Sequence, residues 1–274
     1  MASKRTTPTE VQAHDLDKSF AEHLVLRDVD LTIPRGQIVA LVGASGTGKT
    51  VLLDILTGLL KPDAGVVMVC DHSKPDKPMV NLHTLEWEQL DNVRLHWAIV
   101  FQRNALFSGT VYENIALWLQ EHTEMDEGAI DARVRESLKA AALNPDDVME
   151  KTREELSGGM AKRVAIARAI AVDPAVIFYD EPTTGLDPMI SAQIHELIFN
   201  LHHRSLPDGS KRTTIFVTHD KDLLRRVQPR IVMLHDARVC FDGSYEDFGK
   251  CPFGPAQIYF RSMPVLHNRP VAAR

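Results

Sequence analysis

A chain of 274 residues with 44% apolar and 25% charged side chains has the composition of a soluble globular protein, with material for one large domain or two small ones. Its formal net charge of −6 argues against nucleic acid as the main partner, and Cys70, Cys240 and Cys251 offer neither metal-ligand spacing nor a disulfide framework. No run approaches the roughly 18 apolar residues of a membrane span, and "MASKRTTPTEVQ" lacks the apolar stretch of a secretory signal, so a reducing compartment is expected and other chains must supply any hold on a membrane.

Residues 1–10 are polar and are expected to form a disordered tail. From Val11 to Ile33 short apolar alternations predict strands, ending at a Pro-Arg-Gly turn. "QIVALVG" (37–43) is a continuous apolar run, the pattern of a parallel strand buried on both faces. It leads into "GASGTGKT", which fits G-x-x-x-x-G-K-[ST] and precedes the helical pattern "VLLDILTGLL". In such a loop Gly46 and Gly48 let backbone amides curl around phosphates, Lys49 reaches the β- and γ-phosphates, and the Thr50 hydroxyl ligates Mg²⁺. Gly43, Ala44, Ser45, Thr47 and the following Val51 complete the candidate contacts; the plain alternative is a glycine-rich turn without ligand.

Segment 71–95 reads as a loop followed by a helix. Gln102, in "IVFQRNALF", is on residue pattern alone a surface residue. From about Ala105 to Ile170 strand signals vanish, which predicts a helical insertion carried on an α/β core. Inside it, Ser157, Gly158 and Gly159 open an amphipathic helix, a second site suited to an anion. One monomer already has its phosphate loop, so this second site points to something negative outside the monomer.

"AVIFYD" (175–180) and "TTIFVTH" (213–219) are further buried-strand patterns with polar residues at their C-terminal ends, where open α/β sheets bind ligands. A lone carboxylate at the end of a buried strand is costly unless it serves a cation, so Asp180 is placed to hold Mg²⁺ through water. Glu181 stands one residue on, where it can polarise an attacking water; both carboxylates read alternatively as structural partners of a Lys or Arg. His219 is structural if taken alone, and a γ-phosphate contact if its strand ends at the same edge as the other two. "RIVMLHDARVCFDGS" predicts two strands joined near Asp236, and 249–274, with four prolines, reads as a tail that docks on a partner.

In their order, "GASGTGKT", "FQ" (101–102), "LSGGM" (156–160), "VIFYDEP", "TGLDP" (184–188) and "VTHD" (217–220) resemble the ATP-binding subunit of ABC transporters, from about Val11 to Phe248. The resemblance implies a P-loop NTPase fold, with a RecA-like parallel-sheet core, an antiparallel β subdomain and a helical subdomain inserted at about 103–174. It implies ATP and Mg²⁺ as cofactors. It places Phe20 against adenine, where residue pattern alone reads a core aromatic equally well. It makes Gln102 a contact of Mg²⁺ or the attacking water, Glu181 the general base, His219 the γ-phosphate switch and Asp187 a dimer-interface residue. Ser157, Gly158 and Gly159 then meet the ATP held by a second copy.

Ala105-Leu106-Phe107, Thr110-Val111, Glu113-Asn114 and Glu121-His122-Thr123, with Met160 and Lys162 where most relatives carry Gln, resemble the MCE/Mla lipid-transport ATPases more closely. That resemblance implies a homodimer on the cytoplasmic face of a bacterial inner membrane, working with a permease, an MCE-domain protein and a small STAS-type subunit, with no nucleic acid. The alternatives are an ATPase of a different ABC importer or exporter, or a soluble ABC ATPase acting on DNA or ribosomes. Three features depart from the pattern: Val51 in place of a hydroxyl residue, "LWLQ" (117–120) in place of a Pro-containing stretch, and the chain from Cys251 onward.

Overall fold

The structure, a computed structural model, describes residues 7–252 and 254–263. Its centre is a six-stranded sheet built from β3 (Ile38–Val42), β6 (Trp97–Val100), β7 (Val176–Asp180), β8 (Thr213–Val217), β9 (Arg230–His235) and β10 (Arg238–Ser244). The order is β10-β9-β3-β8-β7-β6, parallel except for the β9–β10 hairpin. The strand side chains alternate between two cores. Val39, Leu41, Phe178, Ile215 and Val217 face one; Ala40, Val42, Ile177, Tyr179 and Phe216 face the other. With both faces covered, β7 and β8 are buried throughout, as their unbroken apolar runs predict.

The first core lies under an antiparallel sheet of order β2-β1-β4-β5, formed by β1 (Thr9–Phe20), β2 (His23–Pro34), β4 (Ala64–Cys70) and β5 (Met79–Asn81). Helix α1 (Lys49–Leu56) contributes Leu52, Leu53, Ile55 and Leu56 to it. The structure corrects the tail expected over residues 1–10, of which 1–6 lie outside the described residues. Strand β1 begins at Thr9, and Glu10 is buried. The Glu10 carboxylate accepts the Thr213 hydroxyl (3.2 Å), stands 2.6 Å from His72 Nε2 and 3.7 Å from Arg35 Nε, so the chain's start is tied to β8 by a buried, paired charge. Segment 71–95 holds β5 as well as the expected helix, α2 (Trp87–Arg94).

The second core is covered by helices. α3 (Val111–His122), α4 (Glu127–Ala140), α5 (Pro145–Val148) and α6 (Gly158–Ile170) all lie in the chain between β6 and β7, which pair directly. The segment is therefore inserted at the sheet edge. α3 opens with a capping box in which Thr110 Oγ1 accepts Glu113 N–H (3.1 Å) and the Glu113 carboxylate accepts Thr110 N–H (2.7 Å). Asn114 accepts from Phe107 N–H (3.0 Å) and donates to the Phe107 carbonyl (3.2 Å). Thr110, Glu113, Asn114 and Phe107 are thus the parts of one helix start and the loop it anchors.

Helices α7 (Pro188–His203), α8 (Lys221–Val227), α9 (Tyr245–Lys250) and α10 (Gly254–Ser262) complete the layer. The last, α10, corrects the reading of 249–274 as a tail for residues 254–263, which pack on the core. Phe248 is buried edge-on against Phe260 at 5.5 Å, Lys221 Nζ lies 4.0 Å over the Phe260 ring, and Ala256 and Met263 are buried. Residues 264–274, where the partner contact was also expected, lie outside the described residues.

Candidate functional site

Strands β3, β7 and β8 run parallel, so their C-terminal ends reach one edge, and there the phosphate loop, Asp180–Glu181 and His219 converge. A cavity of about 630 Å³ is lined by Gly43, Ala44, Ser45, Gly46, Gly48, Lys49, Thr50, Val51, Gln102, Glu181 and His219, with Phe20, His23, Val25 and Tyr259 at its walls. Gly48 precedes α1 with φ 91°, and a Cβ there would stand 2.8 Å from the Val25 side chain; only glycine fits that backbone at that approach. Lys49 Nζ and Thr47 Oγ1 both donate to the Ala44 carbonyl, at 2.8 and 2.9 Å, which closes the loop on itself. Burial lowers the Lys49 pKa, against the pull of Glu181 and Asp180.

Asp180 is only 9% exposed at the end of β7. Burial, then the neighbouring Glu181 charge, raises its pKa, opposed by a 3.4 Å hydrogen bond from Thr50 Oγ1 and by Lys162 and Lys49 at longer range. A hydroxyl and a carboxylate side by side are hard oxygen donors of the kind Mg²⁺ takes, so these residues fit the ion. Glu181 has φ 46°, a left-handed conformation that costs a non-glycine residue of order 1–3 kcal/mol and recurs at functional sites. From that turn its carboxylate reaches the end of β8: Oε2 is 2.8 Å from His219 Nδ1 and accepts the Thr184 hydroxyl at 3.2 Å. The hydrogen bond with Glu181 raises the His219 pKa, against burial.

Gln102 joins the cavity through a residue whose part the sequence hides. Lys162, in α6, is buried and donates to the carbonyls of Phe101 (3.0 Å) and Gln102 (2.8 Å). Burial brings its pKa down to about 8, against the attraction of Asp180. Phe20 is 48% exposed at the cavity wall, which settles it as a rim residue rather than a core aromatic. Tyr259, from the segment expected to be a tail, also lines the cavity, and His23 and Val25 enter through strand pairing. No sequence motif marks these three; only the fold brings them to the loop.

The remaining candidates stand elsewhere. Ser157 caps α6, its hydroxyl accepting Met160 N–H at 3.3 Å, and neither it, Gly158 nor Gly159 lines the cavity. Gly158 is open to space, whereas a Cβ on Gly159 would meet Ile190 of α7 at 2.7 Å. Asp187 caps α7 through Ile190 N–H (3.0 Å) and is exposed. The structure therefore brings Lys49, Thr50, Asp180, Glu181, His219 and Gln102 together and leaves Ser157–Gly159 and Asp187 outside that cavity.

A parallel sheet with this phosphate loop, acidic pair and inserted helices defines a nucleotide-hydrolysing cassette. The chain belongs to the ABC transporter family, whose profile matches residues 26–184. It is 33% identical over 250 residues to Protein TRIGALACTOSYLDIACYLGLYCEROL 3, chloroplastic, of Arabidopsis thaliana, covering 87% of this chain and 69% of that protein. It is 35% identical over 237 residues to the "Probable ribonucleotide transport ATP-binding protein mkl" of Mycobacterium tuberculosis, covering 86% of this chain but 62% of that protein, under two thirds of its length. Among solved structures it is similar to the dimeric ATP-binding cassette MJ0796 in a post-hydrolysis state with ADP and Pi, at TM-score 0.73 and 31% identity over 85% of this chain and 98% of that one. The fold is that of an ABC ATPase, an ATP-hydrolysing enzyme whose cofactors are ATP and Mg²⁺.

The His219–Glu181 pair has a pH signature. A histidine whose folded-state pKa is raised adds stability that is complete below its unfolded value of about 6.5 and is lost as pH rises through the raised value. The melting temperature of His219→Asn should therefore fall furthest below wild type at pH below about 6.5 and approach it as pH rises through the raised value. A difference that grows with pH would contradict the pairing.

Proposed function

We propose that this chain is the ATP-hydrolysing subunit of a lipid transporter of the MCE/Mla type, working as a homodimer on the cytoplasmic face of a bacterial inner membrane. The groove between the sheet core and the inserted helices carries the proposal. Leu59, Trp97, Ile99, Trp118, Ala169 and Val172 line about 290 Å³ of it, with Arg94 and Arg168 beside them. Leu59, Phe107 and Leu117 are large apolar residues left exposed. An apolar depression on an ATPase, to which the inserted helices contribute Trp118, Arg168 and Ala169, suits the docking of a permease helix, although Trp118 lies in the "LWLQ" stretch that departs from the family pattern. No described helix is long and apolar enough to cross a membrane. A permease, an MCE-domain protein and a STAS-type subunit are the partners this reading assigns.

Lipid as cargo is supported by the resemblance to lipid-transport ATPases and by the relative named for a galactolipid. The mycobacterial relative is named for ribonucleotide transport, so the two cargoes are the outcomes to separate.

In this reading Thr50, Asp180 (through water) and Gln102 hold Mg²⁺, which supplies charge neutralisation along the triphosphate. Lys49 and the loop amides bind the phosphates, and Phe20 stacks on adenine. Glu181 takes the proton of the attacking water, and His219 holds the γ-phosphate. Ser157, Gly158 and Gly159 present the N-terminus of α6 to the ATP of the second copy, with Asp187 at the same interface.

Glu181→Gln should bind ATP normally and lose at least about 100-fold in hydrolysis rate; wild-type turnover would remove Glu181 as the base. Ser157→Arg should leave ATP binding by the single chain intact and abolish hydrolysis, and persistent hydrolysis would mean that this turn completes no second site. For the cargo, the tagged chain is purified from detergent-solubilised membranes and its partners and bound small molecules are identified by mass spectrometry. A permease carrying phospholipid is expected. Ribonucleotide cargo, or ribosomes or DNA in place of a membrane protein, would overturn the lipid reading.

A further inference from the structure

Asp220 follows His219 directly and is buried, and it is the most heavily hydrogen-bonded carboxylate near the cavity. Its Oδ1 accepts the amide N–H groups of Asp222 (3.0 Å) and Leu223 (3.1 Å), which starts α8. Its Oδ2 accepts the Thr183 hydroxyl at 2.8 Å and lies 2.7 Å from Nε2 of His195, itself only 3% exposed. A carboxylate offers only acceptors, so the imidazole donates from Nε2. Thr183 stands two residues after Glu181, Asp220 stands beside His219, and His195 belongs to α7. One buried oxygen therefore joins the two turns that carry the Glu181–His219 pair to a third element.

That element reaches toward the other half of the machinery. α7 is capped by Asp187, and one turn on its Ile190 packs so tightly on Gly159 that no Cβ fits between them. Two turns from the cap, His195 grips Asp220. The facing position in an apolar layer needs only a leucine for packing, with Ile194, Leu197 and Ile198 buried around it. A histidine there adds direction: a hydrogen bond of fixed geometry to a buried charge, which holds α7 in one register against the Glu181 and His219 turns.

We infer that His195 is a positioning residue for ATP hydrolysis, which through Asp220 and Thr183 keeps the Glu181–His219 pair in register with the Ser157–Gly159 turn on which α7 packs. The inference rests on the roles given above to Glu181 and His219, and on no contact between His195 and nucleotide.

The test compares wild type, His195→Leu, His195→Gln and Thr183→Val in steady-state ATP hydrolysis, each rate corrected for the folded fraction measured by thermal melting. In His195→Leu, kcat should fall about tenfold with the KM for ATP within about twofold, since register and not nucleotide binding is disturbed. His195→Gln, whose amide can donate to Asp220, should return kcat to within about threefold of wild type. Thr183→Val removes the other donor to the same oxygen at nearly constant volume and should lower kcat about threefold at unchanged KM; it decides the question if His195→Leu does not fold. An unchanged kcat in either variant, a rise in KM alone, or a glutamine that restores melting temperature but not kcat would overturn the inference. Full turnover by Glu181→Gln would instead overturn the roles beneath it, so the two failures are distinct.

Discussion

A carboxylate that leaves water needs a positive partner, and Asp180 finds none in contact: its direct neighbour is the Thr50 hydroxyl, with both lysines acting at longer range. The cost of burying such a charge is several kcal/mol, too much to persist in a protein of ordinary stability without return. A cation held between Thr50 and Asp180, as proposed above, would supply that return. The strand that carries Asp180 must end opposite the phosphate loop, which requires β7 and β3 to be parallel members of one sheet, with β8 between them. That in turn demands helical crossovers and two covered faces. Much of the architecture follows from keeping one hydroxyl and one carboxylate side by side.

The same logic makes the cavity complete on one side only. The loop amides, Lys49 and the acidic pair gather on a single chain, whereas the N-terminus of α6 opens elsewhere with Gly158 bare. In the proposed homodimer the α6 start of one copy would meet the phosphate loop of the other. Within one chain α7 touches Gly159 with Ile190 and Asp220 with His195. A rigid helix with close contacts near its start and at its middle transmits displacement between them better than a loop, because neither contact has slack to absorb it.

Much of the site was legible because its parts are local. "GASGTGKT" gathers its candidate phosphate contacts into eight successive residues, and Asp180 and Glu181 are adjacent at a strand end. The strands β3, β7 and β8 declared themselves because burial on both faces leaves an unbroken apolar run. β4 and β6 were missed for the opposite reason. "AGVVMVC" begins exposed and follows a loop, and "WAIV" is too short to be told from a buried helical turn. Residues 9–10 and α10 were read as tail because polar or proline-rich composition says nothing of what a segment packs on. Glu10 is buried only because Thr213, Arg35 and His72, scattered along the chain, converge on it.

The sequence by itself determined the candidate chemistry: a phosphate loop, an acidic pair, a histidine at a third strand end and a second helix start suited to an anion, each legible from a short run of neighbouring residues. Tertiary structure decided the assignments that depend on partners. It made Lys162 the anchor of the Gln102 loop, moved Phe20 to the cavity rim, brought Tyr259 to the phosphate loop and tied His195 to Asp220. Ser157–Gly159 changed most. As a sequence it is a turn suited to an anion like the first, and in the fold it does not line its own chain's cavity. The physical reason is the same in every case: hydrogen bonds and buried charges act over about 3 Å in space, and only the folded chain makes residues far apart in sequence that close.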